Sequence, residues 1–274
     1  MRRFFLLVLL SIAPALHANT VAQFRTYFGD MEVELYEQHK PITVGNFIRY
    51  VQSGLYQNGF IHRGVPNFVI QGGGFFVGPS GIDAIPTFGP IRNEFGAGAI
   101  YSNVYGTIAM AKQAGDTNSA TSQWFINLTN NAFLDAPNNN NYFTVFGKVI
   151  RGTNILNTFK TFSYSNTRSN IIRDYSLVLG APFGELPLLS ANATYADLLY
   201  VDVTLLNVQV KLTNGSREIS WNSVKGKTNY VEFTTNIPPT WYTLLVTNAT
   251  TNTARITDSS SGAPGRFYRV RVQY

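Results

Sequence analysis

Hydrophobic and polar positions change rhythm repeatedly along this chain. Between residues 20 and 36 an apolar stretch through Phe24 to Phe28 meets a Gly29-Asp30 turn signal, after which Met31, Val33 and Leu35 alternate with Glu32 and Glu34. A period of two around a turn predicts a β-hairpin whose second strand has one wet face. Past Pro41, the spacing of Val44, Phe47, Ile48 and Val51 predicts one face of a helix ending at Gly54. Strand-like runs follow at 60–71, 106–111, 122–128 and 143–150, separated by glycine- and asparagine-rich connections. Ile155, Leu156 and Phe159 mark one side of a second short helix over 152–160. Two helices against many strands predict a mainly β fold, a closed sheet with its ends plugged. Residues 162–197, with Pro182, Pro187 and only brief apolar runs, read as an extended surface excursion. Leu198 to Leu206 alternates again and reads as the strand that closes a first domain over 19–208.

Beyond about 208 the character changes. Threonine and asparagine rise, and short strands are expected at 217–222, 228–234, 241–247, 252–257 and 266–273, a small all-β module over 209–274. The phrases "ISWNSVKGKTNYVEF" and "RFYRVRV" resemble the tryptophan-bearing and tyrosine-bearing strands of fibronectin type III domains. Trp221 and Tyr268 read as ordinary sandwich core rather than ligand contacts. "PNNNN" at 137–141 reads as a polar loop tip.

Composition narrows the chemistry. Met1-Arg2-Arg3, a short apolar run and the small residues Ala15 and Ala18 read as a secretory signal over 1–18, too short and too soon broken by Pro14 for a membrane span. An exported protein, periplasmic or secreted and free of the membrane after cleavage, is therefore expected. Without Arg2 and Arg3 there are 19 basic and 15 acidic side chains, a net charge of +4 with no clustered basic run, so nucleic acid is not an expected partner. The absence of cysteine rules out thiol chemistry and the usual zinc spacings. Only His39 and His62 follow the signal, which argues against a Ser/His/Asp site or two-histidine metal ligation, and no cofactor is expected. With no heptad or broad apolar stripe, a monomer is expected. Four sequons, at Asn127, Asn192, Asn214 and Asn248, read as incidental, since Asn127 falls in an expected core strand.

The stretch "HRGVPNFVIQGG" at 62–73 is unusual. Arg63, among Ile61, Val65, Phe68, Val69 and Ile70, must reach water or face a cavity, because an unpaired buried charge costs several kcal/mol. In one regular strand Arg63 and Gln71 would share a face, although Pro66 interrupts the regularity. Gly72 to Gly74 lack the lysine and helix signal of a phosphate loop and read as a tight turn. Downstream, "SQWFINL" at 122–128 is an aromatic-rich strand after a polar loop, and "NAFLD" adds Phe133 and Leu134. An apolar slot with fixed donors suits a prolyl ring and its carbonyl, which points to peptide recognition.

In consistent order from about residue 20 to 160, "IHRGVPNFVIQGG", "GTIAMAKQAGDTNSATSQWFINLTNNAFLD" and "FTVFGKV" resemble the cyclophilin family of peptidyl-prolyl isomerases, in particular its bacterial exported branch. The resemblance implies an eight-stranded antiparallel barrel capped by two helices. It also implies a catalytic role for Arg63, and a substrate groove at Phe68, Gln71, Phe125 and Leu134. Ala111 and Lys112 fall on the stretch whose backbone contacts the bound peptide, and Gln123 joins the substrate-binding set. Val69 stands where many members have methionine, Phe133 where some have tryptophan, and Phe143 where many have histidine, with Tyr142 beside it as a substitute. These departures imply weak cyclosporin binding rather than loss of the reaction. Trp124 would point to the opposite face, into the core.

Such chemistry needs neither nucleophile nor general base. Rotation about an Xaa-Pro bond is slow because amide resonance imposes a barrier of roughly 18 to 20 kcal/mol. A guanidinium that stabilises the twisted, deconjugated amide lowers it. The expected function is isomerisation of Xaa-Pro segments in exported polypeptides. A noncatalytic proline-peptide-binding or surface-adhesion module is the alternative, and the trio Arg63, Gln71 and Phe125 favours the enzyme.

Overall fold

The computed structural model describes residues 20–136, 142–164, 169–191, 193–206, 208–213, 215–223, 228–236, 239–251, 253–260 and 265–273. The expected signal segment, the 137–141 loop tip and the sequons at Asn192 and Asn214 lie outside the described residues.

Strands β1 (Val21–Thr26) and β2 (Gly29–Leu35) form the first hairpin, followed by helix α1 (Pro41–Gln52). The hairpin turn is Tyr27-Phe28, two residues earlier than the expected Gly29-Asp30. Gly29 is instead the first residue of β2, paired with Thr26 and held at φ +122°, a conformation that L side chains rarely adopt. As expected, Met31, Val33 and Leu35 are buried while Glu32 and Glu34 are half-exposed. In α1 the buried face is Thr43, Val44, Asn46, Phe47 and Tyr50. The buried Glu94 carboxylate accepts the first-turn N–H groups of Ile42 and Thr43 (3.1 and 2.7 Å), an acidic acceptor where the helix has unpaired donors.

The expected single run over 60–71 is a hairpin. Strands β3 (Gly59–Phe60) and β4 (Arg63–Val65) make one passage of chain. A turn at Pro66-Asn67, with Asn67 at φ +58°, sends it back as β5 (Val69–Gly72) and β6 (Phe75–Gly78), and β7 (Gly81–Ala84) extends the β6 edge. β8 (Thr107–Met110), β9 (Trp124–Asn127) and β10 (Val145–Arg151) come next, then helix α2 (Thr153–Lys160), whose buried residues are Ile155, Leu156 and Phe159.

The passage β3–β4 accounts for closure. β3 pairs with β13 (Tyr200–Leu206) on one side, while β4 pairs with β5 on the other. With β3–β4 and β5–β6 each taken as one bent strand, the order β5, β9, β8, β10, β2, β1, β13, β3 returns to its start. The result is the expected eight-stranded antiparallel barrel. Its interior holds Phe24, Phe47, Ile70, Ile108, Trp124, Ile126, Phe146 and Val203. Trp124 meets Phe24 edge-on at 4.9 Å, so its expected core role holds.

Residues 162–197 are not the extended excursion that their turn formers suggested. Strand β11 (Ile171–Arg173), helix α3 (Ser176–Leu179) and strand β12 (Leu186–Leu188) fold into a compact unit in which β11 pairs with β12. Ile171, Phe183, Leu186, Leu188 and Leu198 bury a second core against Phe60. Brief apolar runs suffice because each contributes one or two side chains to a shared core.

The C-terminal residues form two three-stranded sheets: β14 (Val208–Thr213), β15 (Ser216–Asn222) and β18 (Thr253–Asp258) in one, β16 (Thr228–Thr234), β17 (Tyr242–Asn248) and β19 (Phe267–Gln273) in the other. Ile219, Trp221, Val231 and Val270 make their core, and the Trp221 indole donates to Asn229 (2.9 Å). β14 was not anticipated, although Val208, Val210 and Leu212 alternate with Gln209, Lys211 and Thr213; most of its side chains are exposed.

Candidate functional site

Strand register assembles the site on the outer face of the barrel. Arg63 on β4 lies directly across from Gln71 on β5, Gln71 across from Phe125 on β9, Phe125 across from Ala109 on β8, and Ala109 across from Val145 on β10. Arg63 and Gln71 thus share a face because the chain folds back at Pro66-Asn67, and not because they sit an even number of residues apart in one strand. Outward-facing Val69, Ala109, Phe125, Leu134 and Val145 form an apolar cluster of their own, with Phe68, Ala111 and Phe143 packed against it.

Around this row the walls are aromatic. Phe143 meets Phe125 edge-on at 5.5 Å, and Phe133 stacks on Phe68 at 5.7 Å. Phe133 is 57% exposed, whereas its neighbour Leu134 is buried. A single-turn 3-10 helix, Ala132–Asp135, carries both. Lys112 Nζ lies 4.4 Å from the Phe143 ring centre, and desolvation lowers its pKa against the opposing pull of Asp116. Tyr142 turns away, packing on Phe95 at 5.2 Å, so it does not take the place proposed for it beside Phe143.

A buried amide network fixes these walls. The Asn131 side chain donates to the Phe68 carbonyl (2.9 Å) and to Asn127 (2.8 Å). Asn127 donates to Asn103 and to Thr107, and Asn103 donates to Asp135 (2.7 Å) and to the Phe143 carbonyl (3.1 Å). Full burial of Asn127 in this network agrees with its sequon being incidental. Buried amides with satisfied partners rigidify a site at little net cost.

The polar edge is wired through a pair of glutamines. Gln71 does not reach Arg63; its amide donates to Gln123 Oε1 (2.7 Å), and the buried His62 lies beside this pair. Burial of His62, reinforced by the Arg63 charge, lowers its pKa to about 3 and keeps the ring neutral. A Cβ at Gly74 would stand 2.9 Å from the Gln123 side chain and 3.1 Å from His62, so a larger residue there would displace Gln123. Gly73, at φ +74°, bends the chain where a turn was expected. Ala111 borders the groove, its N–H donating to the Gln123 carbonyl (2.9 Å).

Arg63 has its guanidinium 5.8 Å from the Phe68 ring centre. Its Nε donates to Glu185 Oε2 at 2.7 Å. Glu185, the turn residue just before β12, was missed by sequence reasoning. It lies 122 positions from Arg63, and nothing local distinguishes it from any solvated carboxylate.

The structure is thus a closed antiparallel barrel that presents an oriented cation at the rim of an aromatic slot. Residues 21–175 match the model of the family described as cyclophilin type peptidyl-prolyl cis-trans isomerase/CLD, and the chain belongs to that family. It is 42% identical over 139 residues to a peptidyl-prolyl cis-trans isomerase of Acinetobacter baylyi, covering 51% of this chain and 71% of that protein. It is 40% identical over 151 residues to peptidyl-prolyl cis-trans isomerase A of Dickeya dadantii, covering 54% and 76%. It is also 36% identical over 140 residues to peptidyl-prolyl cis-trans isomerase B of Escherichia coli, covering 50% and 82%.

Proposed function

We propose that this chain binds Xaa-Pro segments across the outer face of its barrel and accelerates their cis/trans isomerisation, with Arg63 as the catalytic residue. The observation that carries this reading is the Arg63 guanidinium, held through Nε by Glu185 at the edge of the slot around Phe125, with no hydrogen bond from its terminal Nη groups among the described residues. As the Xaa-Pro bond twists, its carbonyl loses conjugation and the prolyl nitrogen becomes pyramidal. Nη donors that serve the prolyl carbonyl and the freed lone pair act more strongly on this twisted state than on either planar isomer, which is the condition for acceleration. No bond breaks and no proton is transferred, which is consistent with a site whose one histidine, His62, is buried and neutral.

Phe68, Val69, Phe125, Phe133, Leu134 and Phe143 hold the prolyl ring and its flanks. Gln71 and Gln123, bonded to each other, and the backbone at Ala111 and Lys112 align the peptide. Val69 narrows one wall, and Phe133 offers no indole N–H; both support weak cyclosporin binding. The Met1-Arg2-Arg3 start and its apolar run support export to the periplasm or beyond, where the clients are newly exported polypeptides, and the protein acts as a monomer. Residues 209–274, two sheets around Trp221, are read as a fibronectin type III-like module appended to the isomerase domain at 19–208.

NMR exchange spectroscopy of a short Xaa-Pro peptide tests this without a coupled protease. The parent protein is expected to accelerate exchange and the folded Arg63→Ala variant to lose most of that rate. Binding without acceleration in the parent would make the domain a proline-binding module instead.

A further inference from the structure

We propose that Glu185 is a positioning residue for the isomerase site, acting through Arg63; this rests on the catalytic reading of Arg63 above. Glu185 lies beyond the residues 21–175 that match the family, in the compact 162–197 unit. That unit is fastened to the strand that carries Arg63 at three points. The Glu185 carboxylate accepts from Arg63 Nε (2.7 Å), the Glu185 carbonyl accepts from the Gly64 N–H (2.8 Å), and Pro187 packs so closely that a Cβ at Gly64 would stand 3.1 Å from its ring. The second carboxylate oxygen accepts from the Tyr164 hydroxyl at 3.5 Å.

The consequence is geometric. An arginine side chain on a strand edge has several rotamers, and Gln71, its cross-strand neighbour, is committed to Gln123 and cannot select among them. A carboxylate on Nε fixes the plane of the guanidinium and leaves both Nη groups for the substrate. Because main-chain and side-chain contacts to Glu185 come from adjacent residues of β4, the acceptor moves with the strand that carries the arginine. A misplaced catalytic group loses rate steeply, by up to about 10²-fold for displacements near 1 Å. As both partners are about one-third exposed (34% and 32%), the pair adds little to stability, so its loss is expected to show in the rate and not in the fold.

Exchange spectroscopy on the full chain, with kcat and KM separated by line-shape analysis over a peptide titration, tests this. Glu185→Ala is expected to lower kcat about tenfold with KM within about twofold of the parent. Glu185→Gln, which keeps an acceptor for Nε, is expected to recover most of the rate. In an Arg63→Ala background, Glu185→Ala is expected to change nothing further, because its effect runs through the missing guanidinium. The proposal is overturned if Glu185→Ala turns over as fast as or faster than the parent, if Gln recovers nothing, or if the loss is the same with Arg63 absent. An inactive parent would instead remove the isomerase reading itself, and this inference with it.

Discussion

Two arginine–carboxylate pairs, one in each half of the molecule, are built to opposite ends. In the C-terminal module Asp258 accepts from Arg266 (2.8 Å), from the Tyr268 hydroxyl (2.5 Å), and from the N–H and hydroxyl of Ser260, and its side chain is 3% exposed. At the barrel rim, Glu185 and Arg63 keep a third of their side-chain surface open, and the arginine retains donors with no protein partner among the described residues. A carboxylate saturated and sealed from water joins strands; a pair left half-open presents a charge to something that arrives from solvent. The number and direction of the uncommitted donors, rather than the presence of an ion pair, separate the two roles.

The largest effects come from breaking each pair. Arg63→Ala is expected to slow isomerisation roughly 10²- to 10³-fold, as for loss of a donor aimed at a reacting carbonyl. The same change should alter the free energy of unfolding by under about 1 kcal/mol. Asp258→Ala should do the reverse: it strands Arg266 and destabilises the C-terminal module by about 3 kcal/mol while turnover of short peptides stays intact. Urea unfolding and peptide exchange on the same two variants check this crossing of effects.

Titration separates the regions more gently. Burial would raise the Asp258 pKa, but hydrogen bonds from Ser260 and Tyr268 and the Arg266 charge outweigh it and hold it at about 2 against an ordinary 3.8. The unfolded chain therefore binds this proton first, and stability of the module should fall as pH drops from about 4 to about 2. His62 is depressed from 6.5 to about 3, chiefly by burial, so the barrel should lose stability from its unprotonated histidine earlier, as pH falls from about 6.5 towards 3. Indole NMR signals of Trp124 and Trp221, one in each core, report the two windows during unfolding at each pH. The smallest effect belongs to removal of residues 209–274. The barrel closes without them, so turnover should stay within about twofold of the full chain.

These contrasts also mark what could be read from residues alone. Alternation located β2 and β13, and 3.6-residue spacing located α1 and α2, because each element advertises a buried face within its own length. The proposed groove residues come from the resemblance that a few long motifs bear to the cyclophilin family, and not from periodicity. Three features were not legible. The Pro66-Asn67 reversal divides the 60–71 run into two strands; in the sequence Pro66 reads as an interruption of one strand and not as the corner of a hairpin. The first hairpin turns at Tyr27-Phe28, two apolar-looking residues, while the conspicuous Gly29 serves its φ of +122° inside the strand. Glu185 has no local signature, since its meaning arises only when the 162–197 unit docks β12 beside β4. Local pattern reports faces; it does not report which distant residue a face will meet.

The most direct test of an oriented guanidinium as the catalytic element is Arg63→Lys, measured by peptide exchange beside the parent and Arg63→Ala. Lysine keeps the charge but lacks the planar fork that Glu185 can hold through Nε while the terminal nitrogens face the peptide. The account predicts that the lysine variant exchanges peptide at a rate close to that of alanine. A lysine variant that retains most of the parent rate would contradict it, leaving positive charge at the groove rim, without orientation, as the source of acceleration.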